Sequence, residues 1–262
     1  MVARRWRRQP HPLPHSSDHL LVGVRASHAQ AAAGAGGGAA CGVARLKKAM
    51  ARVAIALPTG VLLPGALRVL ARSGVARLTA AELGRKLLVD RQKVRVILVR
   101  PADVPAYVDH GAADLGIVGK DVLWEQPGAH YELVDLRFGG CRLVLAVPAA
   151  SKLAGRETWP PLLRVATKYP RATASWFEAR GQSVEVVPLH GSVELAPQVD
   201  LVDAIVDLTA SGRTLKENNL RVAAVLGAST ARLIANQASL KTRTDVVQST
   251  VARFREAAGK AS

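Results

Sequence analysis

The chain has 262 residues, of which 49% are hydrophobic and 21% charged, a composition typical of a globular protein with one or two domains. No run of about 18 apolar residues occurs, so the sequence predicts no membrane-spanning helix. The two cysteines, Cys41 and Cys141, lie far apart and indicate neither a disulfide framework nor a zinc site. We therefore expect a cytoplasmic protein.

The formal net charge of +16 raises the question of a nucleic-acid partner or a phosphate-rich substrate. Residues 1–49 alone carry eight basic side chains against the single acid Asp18. Aromatic residues make up only 4% of the chain and do not alternate with Lys or Arg, which argues against a surface that stacks bases. We expect small polyanionic substrates, and a nucleic-acid-binding function remains the weaker alternative.

Residues 1–49 read as a separate, basic and low-complexity extension. Pro10, Pro12 and Pro14 precede a run of mostly Ala and Gly over 29–40, which predicts disorder because it offers no core. Two interpretations stay open, an organelle transit peptide or an upstream start codon. The second is favoured because Met50 stands directly before the first predicted strand.

From Met50 onward, short apolar runs alternate with stretches of helical period. Strands are predicted over 52–57, 94–99, 114–118, 142–147, 163–167, 183–188 and 204–208. Helices are predicted over 62–73, 104–111, 173–181, 193–199, 212–219 and 245–258. This alternation predicts an α/β fold with a largely parallel sheet. The turn at 138–140, Phe-Gly-Gly, predicts a crossing between two lobes.

The segment DAIVDLTASGRTLKENNL, residues 203–220, has the form of a phosphate-binding loop. A strand ends in an acid and a turn of small residues, and a helix follows, so free backbone N–H groups over 211–214 can meet an anion. Ser211 and Thr214 offer hydroxyls, Arg213 offers charge, and Gly212 admits close approach. Asp207 can accept hydrogen bonds from sugar hydroxyls, so a 5-phosphoribose site is predicted. The alternative is an ordinary helix cap.

This segment resembles the phosphoribosyl-pyrophosphate loop of the ATP phosphoribosyltransferase family. Five further segments resemble the family in the same order: GAADLGIVGKDVLWE (111–125), ELVDLRFGGCRLVLAVP (132–148), LRVATKYP (163–170), HGSVELAP (190–197) and ARLIANQASLK (231–241). The match covers residues 52–241. The chain is therefore identified as similar to the short-form catalytic subunit of this family.

The resemblance implies a two-lobed fold like that of the type II periplasmic binding proteins, with a central cleft. Lobe I, residues 50–140 plus 231–262, would hold ATP, and lobe II, residues 141–230, would hold phosphoribosyl pyrophosphate. The implied reaction is the first step of histidine biosynthesis, in which N1 of adenine attacks the anomeric carbon as pyrophosphate departs. Such a pentosyltransferase needs no side-chain nucleophile, and Mg²⁺ is carried on the pyrophosphate.

The resemblance also implies which residues bind the substrates. Phosphoribosyl pyrophosphate would contact Asp207, Ala210, Ser211, Gly212, Arg213, Thr214 and Lys168. ATP would contact Thr59, Arg100, Asp114, Gly116 and Gly119, and Glu194 would help to hold Mg²⁺. Each has an ordinary alternative, because acids often cap turns or helices, glycines often bound strands and a lysine after a strand is often only exposed.

One departure from the family concerns the ATP side. Where the family usually has Pro-Lys-Gly-Arg after the first strand, this chain has Pro58-Thr59-Gly60-Val61. Two cations are absent, and Thr59 can donate a hydrogen bond to a phosphate without neutralising it. Either Arg68, Arg85 or Arg100 compensates, or the affinity for ATP is lower.

Only 21 residues follow Lys241, too few for a regulatory domain with its own core. The resemblance implies that regulation comes from a separate subunit resembling histidyl-tRNA synthetase, within a hetero-oligomer. We expect the chain to be at least dimeric. The alternative function is a two-lobed solute- or effector-binding module without catalysis, which would have no need of the Ser-Gly-Arg-Thr loop.

Overall fold

A computed structural model describes residues 52–91, 93–153, 156 and 158–259, all within one compact unit, Val43–Ser262. The expectations for residues 1–49 lie outside the described residues. None of the described helices is long and apolar enough to cross a membrane.

The described residues form two sheets with helices against them. The strands are β1 Val53–Pro58, β2 Leu88–Asp90, β3 Val94–Val99, β4 Leu115–Gly119, β5 Tyr131–Asp135, β6 Cys141–Pro148, β7 Leu163–Thr167, β8 Val184–Pro188, β9 Ala204–Thr209, β10 Leu220–Ser229 and β11 Ala231–Ala235. The α-helices are α1 Leu63–Arg72, α2 Ala80–Leu83, α3 Val104–Asp109, α4 Lys120–Glu125, α5 Pro170–Glu178, α6 Arg213–Glu217, α7 Gln237–Thr242 and α8 Thr244–Gly259. Short 3-10 segments span Gly60–Leu62, Pro101–Asp103 and Val193–Val199.

The first sheet has the strand order β2-β3-β1-β4-β11-β5 and, with α1 to α4, α7 and α8, forms what we call the first lobe. Its central strand β1 runs parallel to β3 and β4. Pro58, Val99 and Gly119 therefore end these strands at one edge of the sheet. Apolar side chains from α1 and α8 cover one face, and those of α3 cover the other, so the sheet is buried between helices.

The second sheet has the order β10-β6-β9-β7-β8 and, with α5, α6 and the segment Val193–Val199, forms the second lobe. Strands β7, β8 and β9 are parallel, so Thr167 and Thr209 end their strands at one edge. Phe177 of α5 is fully buried against one face of this sheet, and Leu215 of α6 packs on the other.

The chain crosses between the sheets at 136–140 and returns at Thr230. Arg142 pairs with Thr209, the last residue of β9, and Ala231 pairs with Gly119, the last residue of β4. Both connections therefore lie next to the ends of the parallel strands. The predicted turn at 138–140 lies in the first connection.

The α/β class and the seven predicted strands are confirmed within one residue at each end. The expected largely parallel sheet is wrong, because both sheets mix parallel and antiparallel pairs. Four strands were not predicted: β2, β5, β10 and β11. The predicted helix over 193–199 is a 3-10 segment, since Pro197 lies inside it and cannot donate an α-helical hydrogen bond.

Candidate active site

The first and second lobes come into contact at Asp121, which lies two residues after the end of β4. Its backbone N–H donates to Ser229 Oγ at 3.0 Å, and its carboxylate accepts the Ser229 hydroxyl at 2.7 Å. Burial and the charge of Asp121 raise the pKa of Tyr169, which lies two residues after the end of β7. The loops after β4 and β7 are thus neighbours, and the loops that follow the parallel strands of both sheets line one cleft.

On the second lobe, β9 leads into an exposed loop of small residues, Ala210 and Ser211, before Gly212. Gly212 has a φ of 76°, a left-handed conformation that favours glycine, and this turn opens α6. The expectation of free backbone N–H groups over 211–214 is wrong at two positions, because the Gly212 N–H donates to Thr209 Oγ1 at 2.8 Å and the Arg213 N–H donates to Ser211 Oγ at 3.4 Å. The side chains of Arg213 and Thr214 are exposed and available to a ligand.

Asp207 lies inside β9 on the approach to this loop. Burial raises the pKa of its carboxyl, and the nearby charge of Glu194 adds to that rise. The Leu208 N–H, 2.8 Å from Oδ1, and the charge of Lys168 act in the opposite direction. Lys168 and Glu194, which come from two other segments of the chain, are therefore near enough for their charges to act on Asp207.

On the first lobe, Thr59, Arg100 and Gly119 share the edge at which β1, β3 and β4 end. The Thr59 N–H donates to the Val99 carbonyl at 2.8 Å, which joins the loops after β1 and β3. Arg100 is exposed. Val61 is 95% exposed, so the position at which the resemblance leads us to expect Arg presents an unpacked aliphatic side chain.

Asp114 and Gly116 are not brought to this edge. Asp114 stands before β4 at the opposite end, where its buried carboxylate accepts the Ala54 N–H at 2.8 Å, the Ser239 hydroxyl at 2.7 Å and the Arg243 guanidinium at 2.6 Å. Gly116 is enclosed within the sheet, because a Cβ there would lie 2.7 Å from Val108. Asp114 thus holds the start of β4 by hydrogen bonds, and Gly116 permits close packing inside the lobe.

Sequence reasoning missed the residues of α4 that reach across the cleft. The Glu125 carboxylate accepts the backbone N–H groups of Arg171 and Ala172, at 3.1 and 3.2 Å, in the first turn of α5. The Trp124 ring lies so close to Gly227 of β10 that a Cβ there would be 2.8 Å from it. The available signal was the pair Trp-Glu at the end of the segment 111–125.

The described residues contain no group of three or more His, Cys, Asp or Glu side chains that could hold a metal ion. On the second lobe, the carboxylates of Asp207 and Glu194 are near enough for their charges to interact. A divalent cation there would take its remaining oxygen ligands from a bound substrate, as Mg²⁺ commonly does with phosphates.

Comparison with known proteins agrees with this architecture. A model of the HisG family, described as ATP phosphoribosyltransferase, matches residues 100–256. The ATP phosphoribosyltransferase of Caldanaerobacter subterraneus subsp. tengcongensis is 43% identical over 206 residues, covering 78% of this chain and 96% of the relative. That of Rubrobacter xylanophilus is 50% identical over 191 residues, covering 72% and 88%.

Among solved structures, the ATP phosphoribosyl transferase (HisG:HisZ) complex from Thermotoga maritima matches with a TM-score of 0.66 and 34% identity, covering 79% of this chain and 99% of that one. The periplasmic aliphatic sulphonate-binding protein SsuA from Escherichia coli matches with a TM-score of 0.50 and 16% identity, covering 79% and 72%, which shows a shared fold alone. The chain has the two sheets and the cleft described above, and the relatives match it over most of their own length. It belongs to the ATP phosphoribosyltransferase family.

Proposed function

We propose that this chain, which as an ATP phosphoribosyltransferase joins ATP to phosphoribosyl pyrophosphate in the first step of histidine biosynthesis, holds the two substrates on opposite lobes. The observations that carry the assignment are the exposed Arg213 and Thr214 of the second-lobe loop and Asp207 in the strand that leads into it, whose carboxyl feels the charge of Lys168. That set pairs donors for a phosphate with an acceptor for sugar hydroxyls. Phosphoribosyl pyrophosphate is accordingly assigned to lobe II, residues 141–230.

The 5-phosphate is assigned to Ala210, Ser211, Gly212, Arg213 and Thr214. Asp207 accepts hydrogen bonds from the ribose hydroxyls. Lys168 faces the pyrophosphate, which brings Mg²⁺ with it, and Glu194 helps to hold that ion. Donors that stay fixed around the departing pyrophosphate stabilise the charge that develops on it.

ATP is assigned to lobe I, residues 50–140 plus 231–262, at the loops after β1, β3 and β4. Thr59 donates a hydrogen bond to the triphosphate, Arg100 supplies positive charge, and Gly119 allows close approach. Adenine N1 then forms its bond to the anomeric carbon as the bond from that carbon to the pyrophosphate oxygen breaks. The electron pair of the broken bond leaves with the pyrophosphate, so the protein acts by aligning two substrates across the cleft.

The quaternary arrangement follows from the family relationship. The Thermotoga maritima structure is a HisG:HisZ complex. We assign to this chain a separate regulatory subunit of the HisZ kind, resembling histidyl-tRNA synthetase, and at least a homodimer within the hetero-oligomer. A cytoplasmic location is consistent with the free thiol of Cys141.

Titration calorimetry with phosphoribosyl pyrophosphate tests the assignment of the second lobe. We expect heat that depends on Mg²⁺ and that falls strongly in Arg213→Ala but not in Lys216→Ala, an exposed cation on the same helix outside the loop. A binding module for amino acids or oxyanions would give no Mg²⁺-dependent heat with this ligand. Absence of that heat from the unaltered protein would remove the assignment.

A further inference from the structure

A second concave site lies on the first lobe, away from the cleft. It is a cavity of about 900 Å³ whose lining includes Val53 and Val94, the first residues of β1 and β3. The connection from Gly74 to Arg77 and one side of α8 complete the wall. Since β1 and β3 end at the cleft, their beginnings lie roughly 17 Å away at the rise of an extended strand.

The charge of this cavity is strongly positive. Its wall carries four basic side chains and one acid, Asp245: the basic residues are Arg77, Arg91, Lys93 and Arg253. Arg91 is paired with Glu82 at 3.3 Å. Arg77, Lys93 and Arg253 are exposed and form no ion pair within the part of the chain that the structure describes. Like charges around a concavity focus a positive potential into it and attract anions.

The rest of the wall is apolar or carries hydroxyl groups. Val75, Ala76 and Val246 supply aliphatic surface, and Ser249 and Thr250 supply hydroxyl oxygens. Both hydroxyls donate to the Val246 carbonyl, at 3.0 and 2.7 Å, which holds them in fixed orientations. An aliphatic floor with cations at the rim suits a ligand that has both an anionic and an apolar part, and the volume is that of a small-molecule site.

We propose that this cavity binds a small phosphorylated molecule of the nucleoside phosphate class, at a site separate from the cleft. The phosphates meet Arg77, Lys93 and Arg253, and the base lies on the aliphatic floor. The described lining has no aromatic residue on which successive bases of a nucleic acid could stack.

Amide hydrogen exchange on the full chain, with and without ADP, tests the proposal because it reports the cleft and the cavity separately. ADP should slow exchange in the peptides that cover 74–77 and 244–253, in addition to any effect at the cleft loops. In the double variant Arg77→Gln/Arg253→Gln, the concentration of ADP needed for protection at the cavity should rise by at least about tenfold, because two charge-assisted bonds are lost.

The matched control is Lys86→Gln/Arg255→Gln, which removes two exposed charges from the same lobe outside the cavity. It should leave protection at the cavity unchanged, and an unchanged melting temperature shows that either variant is folded. The proposal is overturned if ADP protects only the cleft of the unaltered chain. It is also overturned if the control loses cavity protection as much as the cavity variant does.

Discussion

The carboxylate of Glu125, on the first lobe, caps the first turn of α5 on the second lobe by accepting the Arg171 N–H at 3.1 Å. The first N–H groups of a helix have no partner inside the helix and need one from elsewhere. The local cap position of α5, Tyr169, makes no such side-chain bond. Glu125 therefore takes this role across the cleft and ties the lobes together beyond their two chain connections.

Replacement of Glu125 tests this link. Glu125→Ala should lower the free energy of unfolding by about 1–2 kcal/mol, the usual cost of losing a helix cap. Because α5 begins two residues after Lys168, the affinity for phosphoribosyl pyrophosphate should fall as well. Thermal unfolding and calorimetry check both effects. Glu178→Ala, at an exposed position near the end of α5, is the control and should change neither.

How far the sequence predicts this structure depends on whether a feature is local. Strands β3 and β7 are predicted to the residue because each is a short run of mostly Val, Leu, Ile and Ala that ends within three residues of a proline. Strand β10 is missed because its pairing with β6 shifts register between Val222 and Ala224 and again between Val225 and Gly227. Such bulges break the alternation by which a strand is recognised.

The same distinction holds for the candidate site. The loop at 210–214 is contiguous, so its residue types alone indicate a phosphate-binding turn. The contacts of Glu125 with Arg171 and of Asp121 with Ser229 join positions 46 and 108 residues apart. Contacts at that separation depend on how the sheets are arranged, which the sequence pattern does not specify.

Arg213→Ala tests the phosphate loop. The variant should weaken binding of phosphoribosyl pyrophosphate by about 1.5–3 kcal/mol, the usual value of a hydrogen bond to a charged group. Binding of ATP should change far less, because ATP is assigned to the other lobe. Calorimetry with each substrate in turn measures the two affinities. Equal losses for both substrates, or none for either, would mean that the loop is assigned wrongly.

Asp207→Asn should raise thermal stability at neutral pH while weakening binding of phosphoribosyl pyrophosphate. Burial raises the pKa of Asp207, so the folded protein keeps a proton that the unfolded chain releases just above the ordinary carboxyl pKa. The free energy of unfolding therefore falls as the pH rises from the ordinary carboxyl pKa to the raised pKa of Asp207. Asparagine does not ionise and so avoids this loss of stability. Melting curves from pH 4 to 8 should show a higher melting temperature for the variant only above the ordinary carboxyl pKa.

Asp203→Asn, at the start of the same strand, provides the opposite case. Burial acts to raise the pKa of Asp203, but hydrogen bonds and charge from Arg164, 3.0 Å away, outweigh it and lower the pKa. Its ionised form thus stabilises the fold above the ordinary carboxyl pKa, and this stability is lost as the pH falls through the lowered value. The neutral-pH loss in the variant should be small, about 1 kcal/mol or less, since the pair is largely exposed. If both variants shift stability in the same direction, the roles given to the two carboxylates are wrong.

Val61→Arg should tighten binding of ATP. Val61 lies three residues after the end of β1 and is 95% exposed, so a longer side chain fits there without displacing the core. A guanidinium at this edge adds one charge-assisted contact, worth up to about 1.5–3 kcal/mol and weakened by salt. The dissociation constant for ATP should fall in low salt, and Val222→Arg, an exposed valine on β10, should leave it unchanged. No tightening would place the triphosphate away from the loop after β1.

The central claim is tested most directly by formation of the product. The full chain is mixed with ATP, phosphoribosyl pyrophosphate and Mg²⁺, with and without a HisZ-type regulatory subunit, and the absorbance of phosphoribosyl-ATP is followed. We expect the adduct to form, faster when the regulatory subunit is present, and the rate to fall sharply in Arg213→Ala but not in Lys216→Ala. Failure of the unaltered chain to form the adduct in either mixture, while it still binds phosphoribosyl pyrophosphate, would contradict the account.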